Sequence, residues 1–253
     1  MVRNQWSVAK VDNMQEHYAI VVGGGTGTRM GSDTPKQFLP LNGTPVVMHA
    51  IRAFHNSKYS PQIVVVIPSA QHGYWSELCE KYNFDIPHVV ASGGKSRFES
   101  VKNGLAAVQL RCTDLSQSLI AVHDAARPLI APTLIDATFD QAARYGAAAL
   151  AIQSTNSVRL KSSNGLKNNA YPRQQVYLMQ TPQTFNGVIL SESYKLDEDN
   201  AFTDDASVVE KKGYPITLVD GDTRNIKITF PEDLRIAAIL SGTYSGCTPD
   251  DTQ

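Results

Sequence analysis

From Val22 to Phe38 the chain reads Val-Gly-Gly-Gly-Thr-Gly-Thr-Arg-Met-Gly-Ser-Asp-Thr-Pro-Lys-Gln-Phe, a glycine-rich run that follows an apolar stretch and contains two cations, Arg29 and Lys36. Gly23, Gly24, Gly25 and Gly27, interrupted by Thr26, have no Cβ, so the backbone can take positive φ and aim several N–H donors at phosphate oxygens. Arg29 adds a planar fork and Lys36 a compact point charge. Together they suit the charge that builds up as phosphorus changes partners, and a triphosphate is the ligand this chemistry fits.

Commoner glycine motifs do not account for the run. In a dinucleotide-binding pattern the third glycine position after Gly23 and Gly25 would not be Thr28, nor after Gly25 and Gly27 would it be Met30. A Walker A loop would close on Gly-Lys-Ser or Gly-Lys-Thr. The later Gly94-Lys95-Ser96 has Val89 where that motif needs its first glycine. Elsewhere, Asp124 and Arg127 stand in Val122-His-Asp-Ala-Ala-Arg-Pro128, where an Asp at a strand end can hold a metal, accept from hydroxyls or cap the next turn.

These residues need a scaffold, and the hydrophobic spacing supplies one. Apolar, β-rich runs at His17 to Val22, Ile63 to Ile67, His88 to Ala91, Leu119 to Val122 and Ala147 to Ile152 predict strands. Helical spacing covers Pro45 to His55, Ser69 to Tyr82, Ser96 to Gln109 and Pro132 to Tyr145. Alternation of this kind predicts one α/β domain with a mostly parallel, doubly wound, Rossmann-like sheet. Ligands then lie outside the carboxyl ends of the strands, where both the glycine-rich run and Asp124 fall. From Gln153 to Tyr177 the pattern breaks into a polar stretch with Gly165, Pro172 and several asparagines, longer than an ordinary connection.

The 253 residues suffice for one large domain, and 23 basic against 24 acidic residues leave a formal charge of −1. That balance gives no case for nucleic acid or an anionic membrane as partner. Cys79, Cys112 and Cys247 form no paired motif, which points away from a disulfide framework or zinc cluster and toward a reducing compartment. Residues 1 to 16 lack the apolar core of a signal peptide, no run is long enough to span a bilayer, and residues 242 to 253 read as a disordered tail. A cytoplasmic protein with its domain over 17 to 241 is expected.

The glycine-rich run resembles the nucleotidyltransferase pattern of the sugar-phosphate cytidylyltransferases. Five further blocks are similar to that family in order: Ser92 to Ser100 (Ser-Gly-Gly-Lys-Ser-Arg-Phe-Glu-Ser), Val122 to Pro128, Gln180-Thr-Pro-Gln183, Thr203-Asp-Asp-Ala-Ser207 and Asn225-Ile-Lys-Ile-Thr229. The resemblance spans about residues 17 to 240. It implies attack by a phosphomonoester oxygen on the α-phosphorus of CTP, with a divalent cation, Mg²⁺, bridging the triphosphate. Arg29, Lys36, Arg173 and Lys227 are then the catalytic cations, the first two on the triphosphate and Lys227 orienting the attacking phosphate.

The resemblance further implies that Gly23, Gly24, Gly25, Thr26, Gly27, Gly94, Ser100, Asp124 and Ala125 bind the nucleotide. Asp124, Arg127, Ser157, Arg173, Thr181 and Lys227 would bind the acceptor, with Mg²⁺ held mainly by the triphosphate and Asp124 its candidate protein ligand. Lys95, Arg97 and Glu99 are weaker candidates, since a helix start is often charged for solvation alone, and His123 reads as packed rather than catalytic. The stretch from 153 to 177 becomes an extended β-arm crossing to a homodimer partner, which brings Arg173 to the neighbour's site. Asn156-Ser157-Val158-Arg159 departs from the family's usual Asp-Thr and Lys at the arm's base. The resemblance implies 2-C-methyl-D-erythritol 4-phosphate as acceptor, favoured by Val122 to Pro128 and Thr203 to Ser207, and that departure keeps ribitol 5-phosphate as the alternative. A non-catalytic nucleotide-binding protein is a distant third reading.

Overall fold

Asp124, at the end of β6 (Ser118–Asp124), lies level with Val22, at the end of β1 (Glu16–Val22), because the two strands pair in parallel over their whole length. The computed structural model describes residues 15–24, 34–162, 165 and 167–242. On the other side of β1 comes β4 (Gln62–Ile67) and then β5 (His88–Ser92) at the sheet edge, both parallel. Beyond β6 lie β10 (Tyr177–Asn186), β7 (Ala147–Gln153) and β11 (Thr217–Asp220), giving the order β11-β7-β10-β6-β1-β4-β5. Only β10 runs antiparallel to its neighbours. The chain reverses its direction of travel across the sheet between β1 and β6, and a crevice opens there at the carboxyl ends.

Strand alternation builds the two faces. Ala19 and Val21 of β1 pack with α1 (Val46–His55), α2 (His72–Lys81) and α4 (Pro132–Tyr145), whereas Tyr18, Ile20 and Val22 pack with α3 (Arg97–Gln109), α5 (Gly187–Ser193) and α6 (Asp205–Lys211). Local signals agree with the boundaries. Ser96 caps α3 by accepting from the Glu99 N–H at 3.0 Å, Pro132 opens α4, and Gly146 ends it at φ 85°. The expected Ser69 to Tyr82 helix divides into a 3-10 turn at Ser69–Gln71 and α2. A two-residue hairpin, β2 (Pro40–Leu41) with β3 (Thr44–Pro45), and α7 (Pro231–Ser241) close a small third cluster around Leu41, Val46 and Ile228.

The polar stretch after β7 contains a hairpin of β8 (Val158–Lys161) and β9 (Asn168–Tyr171), separate from the main sheet. Among the described residues no helix is long and apolar enough to cross a membrane. The expectations for the leading residues and the tail fall almost entirely outside the described ones, as does Cys247.

Candidate active site

Two cavities sit side by side at the carboxyl end of the sheet. The first, about 370 Å³, is walled by Gly23, Gly24, Lys36, Gly94 and Ser100. The second, about 260 Å³, is walled by Arg127, Thr181, Gln183 and Asp204. Arg97, Asp124 and Lys227 belong to both.

Parallel pairing builds the first cavity. The Gly23 N–H donates to Val66 O at 2.8 Å and the Ala125 N–H to Val22 O at 2.9 Å, so both loops leave the sheet together. Gln37, in the 3-10 turn Lys36–Phe38, lies at 1% exposure and donates to Gly23 O at 2.7 Å. Close approach makes glycine necessary at Gly94, where a Cβ would sit 2.2 Å from Glu99 Cβ, and leaves little room at Gly24, where one would sit 3.1 Å from Ser100 Oγ. Ser100 is buried. Its hydroxyl accepts from the Gly94 N–H at 3.0 Å and donates to Ser96 O at 2.8 Å, so its part is to brace the loop.

The shared wall is an ion lattice. Lys227 Nζ donates to Asp124 Oδ2 at 2.6 Å, and Arg97 Nε donates to Asp124 Oδ1 at 3.1 Å. Burial acts to raise the Asp124 pKa, but the Arg97 and Lys227 charges outweigh it and hold this carboxyl well below the usual range. Lys36 Nζ donates to Ile228 O at 3.0 Å, in the same segment as Lys227. That segment has no regular structure. It is held in place by Ile228 N–H to Ala126 O at 2.8 Å and by Arg127 Nη1 to Asn225 O at 2.7 Å. The Nε of Arg127, in the wall of the second cavity, is buried without a hydrogen-bond partner, as is Asn225 Oδ1 outside that wall, a state that folded proteins seldom leave unexplained.

His123 is buried and ties β6 to β10. Its Nε2 lies 3.1 Å from Arg127 O, a pure acceptor, so Nε2 carries the proton. Its Nδ1 then accepts from the Thr181 hydroxyl at 3.1 Å, whose oxygen takes the Asp124 N–H at 3.0 Å. Burial pushes this imidazole down to about 4, which keeps it neutral.

Gly23, Gly24, Lys36, Gly94, Ser100, Asp124, Arg127, Thr181 and Lys227 therefore come together as expected from sequence. Gly25, Thr26, Gly27 and Arg29 lie outside the described residues. Ala125 is fully buried against Gly23 and does not line the cavity, whereas the next residue, Ala126, does. Ser157 and Arg173 are exposed in the arm and line neither cavity of their own chain; Arg173 Nη1 donates to Thr155 O at 2.9 Å. Sequence reasoning underweighted Arg97 and passed over Gln37, although both stand inside the motif blocks. Among the described residues no cluster of three or more His, Cys, Asp or Glu could hold a metal alone. A lone carboxylate fits an ion carried mainly by phosphate oxygens, as Mg²⁺ is in many phosphoryl-transfer sites.

The family model for 2-C-methyl-D-erythritol 4-phosphate cytidylyltransferase matches residues 17–242. The chain belongs to this family. It is 44% identical to the enzyme of that name from Porphyromonas gingivalis, over 89% of this chain and 98% of the relative. It is 43% identical to the one from Phocaeicola vulgatus, over 88% and 98%. The crystal structure of the Francisella tularensis enzyme superposes with a TM-score of 0.72 at 29% identity, covering 89% of this chain and 99% of that one. The 4-diphosphocytidyl-2C-methyl-D-erythritol synthase of Anaerococcus prevotii gives 0.76 at 26%, covering 90% and 96%.

Proposed function

We infer that this chain transfers the cytidylyl group of CTP to 2-C-methyl-D-erythritol 4-phosphate, giving 4-diphosphocytidyl-2-C-methyl-D-erythritol and pyrophosphate for isoprenoid precursor synthesis by the non-mevalonate route. One geometric observation supports it above others: the two cavities share the wall of Arg97, Asp124 and Lys227. A phosphate in the smaller cavity faces a triphosphate in the larger across that wall. Transfer forms a bond from a phosphate oxygen of the acceptor to the α-phosphorus as the bond to pyrophosphate breaks.

Little covalent chemistry falls to the protein, so positioning and charge neutralisation supply the acceleration. Lys36, with Arg29, neutralises charge on the triphosphate, and Lys227 draws the attacking phosphate toward the α-phosphorus. Arg127, in the wall of the smaller cavity, sets a cation beside the acceptor phosphate. Backbone groups near Gly24 and Gly94 read the cytosine edge in a space shaped for one ring. Mg²⁺, when bound, would add charge neutralisation on the triphosphate, and Asp124 is the residue that would hold it.

The arm makes the working form a homodimer in this reading. The substrates point to the cytoplasm as the place of work. Pyrophosphate release with CTP should be seen with 2-C-methyl-D-erythritol 4-phosphate and be far weaker with ribitol 5-phosphate; the reverse preference would move the chain to the ribitol branch. Titrations should place CTP ahead of ATP and GTP, and equal affinity for a purine triphosphate would remove the cytidylyl assignment.

A further inference from the structure

Arg97 connects the shared wall to a deeper anchor. Its Nη1 and Nη2 donate to Asp205 Oδ1 and Oδ2 at 3.0 Å and 2.6 Å, while its Nε holds Asp124 at 3.1 Å. Asp205 opens α6 and its side chain is 0% exposed. The Tyr194 hydroxyl, itself buried, donates to Asp205 Oδ1 at 2.5 Å. The neighbouring Asp204 caps α6 through the Ser207 N–H at 2.9 Å, and Gln183 of β10 reaches both Asp204 Oδ2 and the Ala206 N–H at 2.8 Å. The start of α6 is thus fixed from three sides.

We propose that Arg97 is a positioning residue for cytidylyl transfer: it sets Asp124, and through Asp124 the Lys227 ammonium, by bridging to the buried Asp205–Tyr194 pair. The proposal rests on the transferase reading above. Geometry separates it from a plain charge effect. A guanidinium can hold Asp205 with one edge and Asp124 with its remaining N–H, whereas a single ammonium cannot reach both carboxylates in that fork. Asp124 without the bridge keeps only Lys227, whose side chain is 42% exposed and follows rather than fixes its partner. Small errors of placement of this kind cost turnover steeply.

Arg97→Lys keeps the charge and removes the bridge. Arg97→Gln/Asp205→Asn removes both charges of the pair and leaves neutral amides, so that folding does not hinge on an unpaired, buried Asp205. Both variants should bind CTP, by calorimetry, within about threefold of wild type. Turnover at saturating CTP and acceptor should fall about tenfold or more in both. Wild-type turnover in either variant would overturn the proposal, because charge or fold support alone would then suffice. A loss confined to KM, or a large loss of CTP affinity, would overturn it too, since Arg97 would then act as a direct substrate contact. If neither variant turns over at all with methylerythritol phosphate or ribitol phosphate while wild type also fails, the transferase reading fails first, and the wild-type control separates the two.

Discussion

At the scale of single residues, the proposed transfer makes its heaviest chemical demand on Lys36 and Arg29. Lys36→Ala removes an ammonium from the larger cavity, together with its hydrogen bond to Ile228 O. Turnover should drop about a hundredfold or more, as loss of a donor aimed at developing charge does, with thermal melting close to wild type. A melt unchanged alongside undiminished turnover would remove Lys36 from the mechanism. His123 gives a pH prediction instead. Its folded pKa is lowered from 6.5 to about 4 by burial, so the unfolded chain binds the extra proton between those values. The stability it supports is therefore whole above pH 6.5 and declines as pH falls toward 4. By linkage the loss is about 2 kcal/mol at pH 5. Urea unfolding at pH 7 and pH 5 should show that extra decline in wild type and lose it in His123→Gln. Arg97 marks the limit of reading residues in isolation: a charge at a helix start looks solvated until Asp205, over a hundred positions away in sequence, is seen against it.

At the scale of elements, the strands and helices with plain apolar periodicity were legible, and those that bury polar groups were not. In β10, Gln180, Thr181, Gln183 and Thr184 are all buried, so no apolar alternation marks the strand. Each is satisfied by a partner distant in sequence: Gln180 by Asp222 O at 2.8 Å, Thr181 by His123, Thr184 by Thr138 at 2.8 Å, Gln183 by Asp204. The antiparallel member of the sheet was hidden for that reason. Helices α5 and α6, at seven residues each, are too short to show a period. Gly104 shows how tightly one legible element is set. A Cβ there would lie 2.5 Å from Ile20 Cγ2 and 2.8 Å from Val66 Cγ2, so α3 rests directly on β1 and β4. Ala is the better helix former by about 1 kcal/mol, yet overpacking costs about 1–3 kcal/mol and should win. Gly104→Ala should thus unfold at lower denaturant than wild type. Because Ser96 to Ser100 braces Gly94 from the start of α3, the same variant should also bind CTP more weakly. Equal stability would mean that the helix can move away from the sheet without cost.

At the scale of the whole molecule, the arm is the part that one chain does not explain. A two-stranded hairpin is marginal alone in water. This one and the strand that follows expose Leu160, Tyr171, Tyr177 and Leu178 at 53%, 38%, 42% and 50%. Arg173 stands at the arm's return and lines neither cavity of its own chain. If the arm crosses a twofold axis and Arg173 completes the partner's acceptor site, no monomer is fully active, because the acceptor phosphate lacks a charge-assisted fork. Mixing tests this directly. An Arg173→Ala chain keeps Lys36, and a Lys36→Ala chain keeps Arg173, so each parent homodimer should be nearly inactive while their heterodimer holds one complete site. Co-refolding equal amounts should restore activity to about a quarter of wild type, since random pairing makes half the dimers mixed and each has one working site. Sedimentation of the mixture, with differently tagged chains, establishes that heterodimers form. Heterodimers without recovered activity would mean that Arg173 serves its own chain through a movement of the arm, or takes no part in the reaction.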